Sequence, residues 1–128
     1  WSAELQDPRQ DIYTLDDVYP QADLVTYPSS IEGFGNAFLE AIYHRRPIVV
    51  NRYSIYEIDI RPHGFRVVEF ENFISRATIE ETCRLLEQPS LRAEWAEVNY
   101  ALARRHFSYD VLERRLAAVL AECFGERR

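Results

Sequence analysis

Short apolar runs alternate along the chain with segments of helical character. Three of these runs, at residues 24–27, 47–50 and 65–68, predict β-strands. The second run is apolar at every position, as expected of a strand that is buried on both faces of a parallel sheet. Because helical segments separate the strands, the pattern predicts an α/β fold with a parallel, Rossmann-like sheet. Three strands are about half of a doubly wound sheet, so we expect a partial domain.

Helical patterns fill the connections and the whole C-terminal part. Helices are predicted at residues 14–21, 36–44, 54–60, 78–87, 89–106 and 108–124. Thr14 is the expected cap of the first helix, and the capping-box pattern at residues 78–81 is expected to open the fourth. One stripe of the last helix is apolar and contains Leu112, Leu116, Val119 and Cys123. We therefore expect a helical C-terminal part that ends in a helix over residues 108–124.

The composition is that of an ordinary globular domain. The chain has 128 residues, of which 47% are hydrophobic and 28% charged, so it can form a real core. Its net charge of −6 argues against nucleic acid as a partner. No apolar run of the sequence is as long as a membrane span.

The two cysteines and the missing methionine bear on the origin of the chain. Cys83 and Cys123 lie in helical segments without metal-ligand spacing, so we expect two buried thiols in a reducing compartment. This favours the cytoplasm, with a peripheral position at the inner face of a membrane left open. The sequence contains no methionine and begins at Trp1, so we expect a piece of a longer or processed polypeptide.

The candidate chemistry lies in residues 32–40, where Glu32 and Glu40 bracket a glycine-containing turn. Gly33 and Gly35 let the backbone approach a ligand closely, and amides at the start of a helix attract a phosphate. Glu40, one turn into the helix, could accept both hydroxyls of a ribose. A nucleotide-sugar fits this order, although spacing alone leaves two solvated glutamates as an alternative. A dinucleotide fingerprint is excluded because Phe38 occupies its third glycine position.

Residues 22–41 and the run Pro47-Ile-Val-Val50 resemble the C-terminal half of family-4 retaining glycosyltransferases of the GT-B fold. Those proteins carry an acid, seven residues and a second acid between a strand ending in Pro-Ser and a helix followed by Pro-Val-Val. Residues 104–109 are similar to the closing Phe-Ser segment of that family, ahead of its last helix. The resemblance covers roughly residues 12–124.

The resemblance implies that residues 1–128 form one partial nucleotide-sugar-binding domain. It implies transfer of a sugar from a nucleotide-sugar to an acceptor that the sequence does not identify, with retention at the anomeric carbon. Glu32 would be the catalytic-site residue and contact a hydroxyl of the donor sugar. The donor-binding residues would be Gly33, Phe34, Gly35, Asn36, Leu39 and Glu40. The amides of residues 33–36 would hold the sugar and phosphates, Leu39 would pack on the ribose, and Glu40 would bind its diol. No metal or other cofactor is expected.

The same resemblance implies that other parts of the active site lie elsewhere. In such proteins the acceptor and some catalytic groups belong to the N-terminal domain, and a basic pair that grips the diphosphate lies upstream. We therefore expect the isolated chain to bind donor weakly and to transfer no sugar. In such proteins the last helix also crosses back onto the N-terminal domain, so we expect its apolar stripe to promote self-association of the isolated chain. The alternative interpretation is a non-catalytic α/β module that serves partner docking.

Two positions depart from the family pattern. Arg45 stands where many members have glycine, so we expect helix 36–44 to end without the usual left-handed glycine cap. The segment 51–57 lacks the glycine pair that is common after the strand. Arg52 in this segment is either a phosphate contact or a surface charge, and we favour the surface because exposed arginine is the norm.

Overall fold

A three-stranded parallel sheet lies at the centre of this computed structural model, which describes residues 13–125. Its strands are β1 (Val25–Tyr27), β2 (Ile48–Asn51) and β3 (Val68–Phe70), in that spatial order. The register places Thr26 beside Val49 and Val50 beside Glu69. All four residues of β2 are buried, as its continuous apolar pattern predicts. The predicted α/β fold with a parallel sheet is therefore confirmed.

Helices connect the strands and make up most of residues 76–125. The first, α1 (Leu15–Val18), continues as a 3₁₀ turn, Tyr19–Gln21, and α2 (Asn36–Tyr43) joins β1 to β2. A π-helical turn (Tyr56–Ile60) and a 3₁₀ turn (Arg61–His63) lead from β2 to β3. The C-terminal part consists of α3 (Arg76–Glu87), α4 (Pro89–Phe107) and α5 (Tyr109–Phe124). The predicted helical C-terminal part is confirmed.

The core lies on both faces of the sheet because neighbouring side chains of a strand point to opposite sides. Ile48 and Val50 face a large cluster that contains Phe38 and Ile42 of α2. Val49 faces a smaller cluster, whose other buried members are Val68 and Leu85. Burial of each large apolar side chain contributes roughly 1.5–3 kcal/mol, so the first cluster holds α2 firmly against the sheet.

Strand β3 begins at Val68, whereas the apolar pattern predicted a start at residue 65. Phe65 and Val67 are buried, but the backbone between them is not paired with β2. The Arg66 amide donates to Oδ1 of Asn99 at 2.7 Å, and its carbonyl accepts from Nδ2 of Asn99 at 2.8 Å. This buried carboxamide from α4 takes the place of a neighbouring strand, and regular pairing with β2 starts only at Val68.

Helix α3 begins one turn earlier than its predicted capping box. Its N-cap is Ser75, whose hydroxyl oxygen accepts from the Thr78 amide at 3.1 Å. The prediction that residues 78–81 open the helix was therefore wrong. Thr78 lies in the first turn, where it is buried and shares a hydroxyl–hydroxyl hydrogen bond with Ser75 at 2.9 Å. Two hydroxyl residues three positions apart offer two caps, and the earlier one places Thr78 in its buried position.

The prediction of two buried thiols was also wrong, since Cys83 and Cys123 are both free and exposed. The cause is the small buried area of the helices that carry them. Helix α3 buries only Thr78 and Leu85, and α5 buries only Val111. Most of the predicted apolar stripe of α5 is likewise exposed, with Leu112, Leu116 and Val119 each more than half accessible.

No helix within residues 13–125 has both the length and the apolar character needed to cross a bilayer.

Helix α2 ends in a left-handed cap although it lacks the glycine. Arg45 has φ of 55°, its amide donates to the Ile42 carbonyl at 2.9 Å, and the Arg46 amide donates to the Ala41 carbonyl at 2.8 Å. These two bonds are those of the Schellman motif. Glycine is absent, as expected, but its left-handed conformation is kept by an arginine.

Candidate functional site

The segment that brackets the two glutamates lies where the chain leaves β1 and enters α2. Residues 28–35 form this connection, and Asn36 is the first residue of α2. The connection therefore starts at the carboxyl end of a parallel strand, which is the edge where open α/β sheets bind ligands.

Gly35 is fixed by its backbone and by its surroundings. Its φ is +87°, and a Cβ at this position would overlap the Tyr53 hydroxyl and lie 3.2 Å from the Tyr27 hydroxyl. The Tyr53 hydroxyl donates to the carbonyl of Phe34 at 3.2 Å. A tyrosine that follows β2 thus holds the turn down on the strand end, and only glycine leaves room for it.

Gly33 is in a different situation. A Cβ added there would meet no heavy atom within 4 Å, and its φ is not left-handed. The amides of Gly33, Phe34 and Gly35 donate to no backbone carbonyl of residues 13–125. The packing of the described residues therefore does not require glycine at position 33, and these amides are available to a ligand.

Tyr27 is the last residue of β1 and is buried. Burial raises the pKa of its hydroxyl, and the charges of Glu32 and Glu40 raise this pKa further. Burial, together with Tyr27 and Glu32, likewise raises the pKa of Tyr53 to about 12. Glu32 lies in the connection that leaves this strand end and Glu40 lies in α2, so the two predicted acids flank the glycine turn.

Glu40 is held by a residue to which the sequence analysis assigned no role. The Tyr19 hydroxyl donates to Oε2 of Glu40 at 3.2 Å. The Tyr19 ring stacks on His44, with 4.7 Å between ring centroids and an interplanar angle of 8°. Burial, followed by the charge of Glu40, raises the pKa of Tyr19. Tyr19 is separated from Glu40 by 21 positions, and no local pattern could have joined them.

The side chains of the first turns of α2 face two cavities of about 360 Å³ each. Leu39 and Phe107 line both cavities, Glu40 lines the first, and Phe34 and Asn36 line the second. The rings of Phe34 and Phe107 meet edge to face at 5.2 Å between centroids. The side chain of Phe34 therefore anchors the turn against the end of α4, while its amide is free to contact a ligand.

Arg52 does not reach this site. Its guanidinium pairs with Glu57 and lies 3.4 Å from a carboxylate oxygen of Glu71, with about a third of the side chain accessible. Arg61 continues the network to Glu69 at 3.1 Å. Exposed and half-exposed pairs of this kind add little stability, but they neutralise the charge of Arg52.

Within residues 13–125, no three His, Cys, Asp or Glu side chains converge as metal ligands would.

The fold is that of an α/β domain in which a glycine turn at the end of β1 leads into the N-terminus of α2. The chain belongs to the group 1 glycosyl transferases, whose family description matches residues 5–88. The resemblance to GT-B glycosyltransferases that the sequence indicated is thereby confirmed.

Two relatives carry the same name. The chain is 38% identical over 109 residues to mannosylglucosylglycerate synthase of Thermotoga maritima, covering 75% of this chain and 26% of the relative. It is 39% identical over 93 residues to mannosylglucosylglycerate synthase of Petrotoga mobilis, covering 68% and 22%. The chain thus spans about a quarter of the length of the curated relatives it matches. No solved structure matches it.

Proposed function

We propose that this chain is the donor-binding part of a retaining glycosyltransferase that transfers a hexose from a nucleotide-sugar to an acceptor. The observation that carries the proposal is the position of Glu32 and Glu40 on either side of the glycine turn that leaves the carboxyl end of β1. Between them lies a turn whose amides are directed to no backbone carbonyl of the described residues.

Each part of the donor has a matching group in this arrangement. Glu40, one turn into α2, accepts from the hydroxyls of the ribose, while Leu39 packs against its ring. The amides of residues 33–36 and the positive end of α2 bind the diphosphate. Glu32, ahead of the turn, accepts from a hydroxyl of the sugar. The order sugar, diphosphate and ribose thus follows the chain from Glu32 to Glu40.

The same amides assist departure of the nucleotide diphosphate. When the bond from the anomeric carbon to the phosphate oxygen breaks, its electron pair stays on that oxygen. Negative charge therefore grows beside the N-terminus of α2, where preorganised N–H groups stabilise it more strongly than they stabilise the intact donor. The acceptor oxygen bonds to the anomeric carbon, and its proton passes to the departing phosphate oxygen, which leaves with the nucleoside diphosphate. Retention of configuration at the anomeric carbon is what the family resemblance implies.

The relatives narrow the choice of substrates. The product named in both is built from mannosyl, glucosyl and glycerate units. Mannosyl and glucosyl nucleotides are therefore the first donors to test, and a glycerate derivative is the first acceptor. We further propose that the acceptor site and the remaining catalytic groups lie in an N-terminal domain of the same polypeptide. Accordingly, the isolated 128 residues transfer no sugar. A cytoplasmic location is part of the same proposal.

The decisive experiment is calorimetric titration of the full-length protein with nucleoside diphosphates. Loss of a charged hydrogen-bond acceptor costs about 1.5–3 kcal/mol, so Glu40→Ala should raise the Kd for the nucleoside diphosphate roughly 10–100-fold. Glu94→Ala is the matched control, since Glu94 is an exposed glutamate on α4, away from the turn. Release of nucleoside diphosphate from each donor in the presence of acceptor then identifies the sugar. Equal binding by the wild type and Glu40→Ala would contradict the proposal.

The exposed apolar stripe of α5 favours one other candidate, a non-catalytic module for partner docking. In that case the full-length protein binds no nucleoside diphosphate, and self-association or partner binding depends on Leu112 and Leu116. Sedimentation of the full-length protein and of a Leu112→Ser, Leu116→Ser variant separates this candidate from the enzyme. A glycosyltransferase should bind the donor whether or not Leu112 and Leu116 are replaced.

A further inference from the structure

One hydrogen bond connects the turn before β1 with the middle of α2. It joins the Tyr19 hydroxyl to Oε2 of Glu40 at 3.2 Å, in a half-buried environment. Among residues 13–125, this is the one hydrogen bond that a side chain makes to the carboxylate of Glu40. Orientation of that carboxylate therefore depends on Tyr19 in the structure.

Tyr19 is itself held on several sides. Its ring lies parallel to that of His44, and the ring of Tyr43 meets His44 edge-on at 5.0 Å. Nε2 of His44 is 3.5 Å from a carboxylate oxygen of Asp16. The backbone carbonyl of Tyr19 also accepts from the Ala22 amide at 3.1 Å, which fixes the 3₁₀ turn. The hydroxyl thus has a defined position from which to donate.

A carboxylate can serve this tyrosine and a ligand together. Its two oxygens offer about four acceptor sites, of which Tyr19 uses one. The remaining sites on Oε1 and Oε2 can take the two hydroxyls of a vicinal diol. Because Tyr19 already fixes the carboxylate plane, less side-chain freedom is lost when the diol binds. Burial and the neighbouring carboxylate raise the pKa of Tyr19, so its proton stays on the tyrosine at neutral pH.

We propose that Tyr19 is a positioning residue for Glu40 and thereby sets the preference of this site for ribose over 2′-deoxyribose nucleotides. The inference rests on the proposed function, in which Glu40 binds the ribose diol. The competing interpretation is that the bond only ties α2 to the preceding turn and adds stability. A purely structural bond would affect ribose and deoxyribose ligands equally.

The test is a comparison of two ligands on the full-length protein. For wild type, Tyr19→Phe and Tyr43→Phe, Kd is measured by calorimetry for one nucleoside diphosphate and for its 2′-deoxy form. The ratio of interest is the Kd of the 2′-deoxy ligand divided by the Kd of the ribose ligand. Tyr19→Phe should reduce this ratio about three- to tenfold, which corresponds to the free energy of one hydrogen bond. Tyr43→Phe is the matched control, since this exposed tyrosine touches the same histidine and should leave the ratio unchanged. Partial unfolding of a variant changes both of its apparent Kd values by the same factor, so the ratio of the two Kd values is not affected.

Glu40→Ala separates the failure of this inference from the failure of the proposed function. If Glu40→Ala removes the ribose preference and Tyr19→Phe keeps it, Tyr19 does not position Glu40, and the proposed function stands. If Glu40→Ala keeps the preference, the ribose role of Glu40 is wrong, and the inference is overturned with it. The expected result is that both variants lower the ratio and that Tyr19→Phe adds nothing in the Glu40→Ala background.

Discussion

Helix α2 is bracketed by two residues in the left-handed region, and they solve the same backbone problem in different ways. At its start, Gly35 has φ of 87°, and just past its end Arg45 has φ of 55°. Gly35 lies where a Cβ would overlap the Tyr53 hydroxyl. Arg45 lies where its side chain can leave the helix, donate to Glu97 at 2.7 Å and cover the ring of Tyr100 at 4.1 Å.

The comparison teaches that a left-handed φ does not by itself demand glycine. A non-glycine residue pays roughly 1–2 kcal/mol for this conformation, which contacts of its side chain can offset. Missing space cannot be offset in this way. The crowded end of α2 forms the candidate donor site, and the open end forms the attachment to α4. Four substitutions test this difference.

The largest effect is expected for Gly35→Ala. The new methyl group meets the Tyr53 hydroxyl and also strains the backbone, so the full-length protein should lose roughly 2–4 kcal/mol of unfolding free energy. Denaturant unfolding measures this loss. Gly64→Ala is the matched control, because Gly64 has φ of 82° but nothing within 4 Å of its Cβ position. It should lose only about 1 kcal/mol, and equal losses at the two glycines would break the comparison.

A smaller effect is expected for Tyr53→Phe. This change removes the hydrogen bond to the Phe34 carbonyl, which is worth about 1 kcal/mol. It also removes the atom that crowds position 35, so the double variant with Gly35→Ala should lose less than the sum of the single variants. The pKa of Tyr53, about 12, keeps its proton in place, so the loss should not change between pH 6 and pH 9. Strict additivity in the double-mutant cycle would show that the hydroxyl does not crowd Gly35.

Arg45→Gly should have a still smaller effect. The backbone gains about 1 kcal/mol from relief of the left-handed strain, and the lost contacts to Glu97 and Tyr100 cost a similar amount. The unfolding free energy should therefore change by less than about 1 kcal/mol. Arg45→Ala keeps the strain and loses the contacts, so it should be the less stable of the two variants. The reverse order would show that Arg45 acts through something other than its side-chain contacts.

The smallest effect on stability is expected for Gly33→Ala. Because nothing lies within 4 Å of the added methyl group, the unfolding free energy should change by no more than about 0.5 kcal/mol. Binding is expected to behave differently, since the methyl group projects into the space proposed for the donor. A variant that is as stable as wild type but binds nucleoside diphosphate more weakly would mark Gly33 as a residue kept for the ligand. Unchanged binding would remove it from the site.

The sequence allowed the frame of this molecule to be predicted, because the signals for it are local. The apolar run at residues 47–50 and the glycine turn before α2 identify a buried strand and its neighbouring loop without any distant information. The start of β3 could not be predicted, since it depends on Asn99, which is 33 positions away from Arg66. Tyr19 was missed for the same reason. Exposure of Cys83 was missed because helical periodicity does not say how much of α3 the sheet covers.

The carboxamide of Asn99 has a consequence for motion. The Arg66 amide proton is covered by a side chain of α4, outside any strand. Its exchange with solvent therefore requires the Asn99 carboxamide to move away, and not the opening of a strand pair. Since Phe107 at the far end of the same helix packs on Phe34, exchange of this single proton reports on the attachment of the helix that also lines the candidate site.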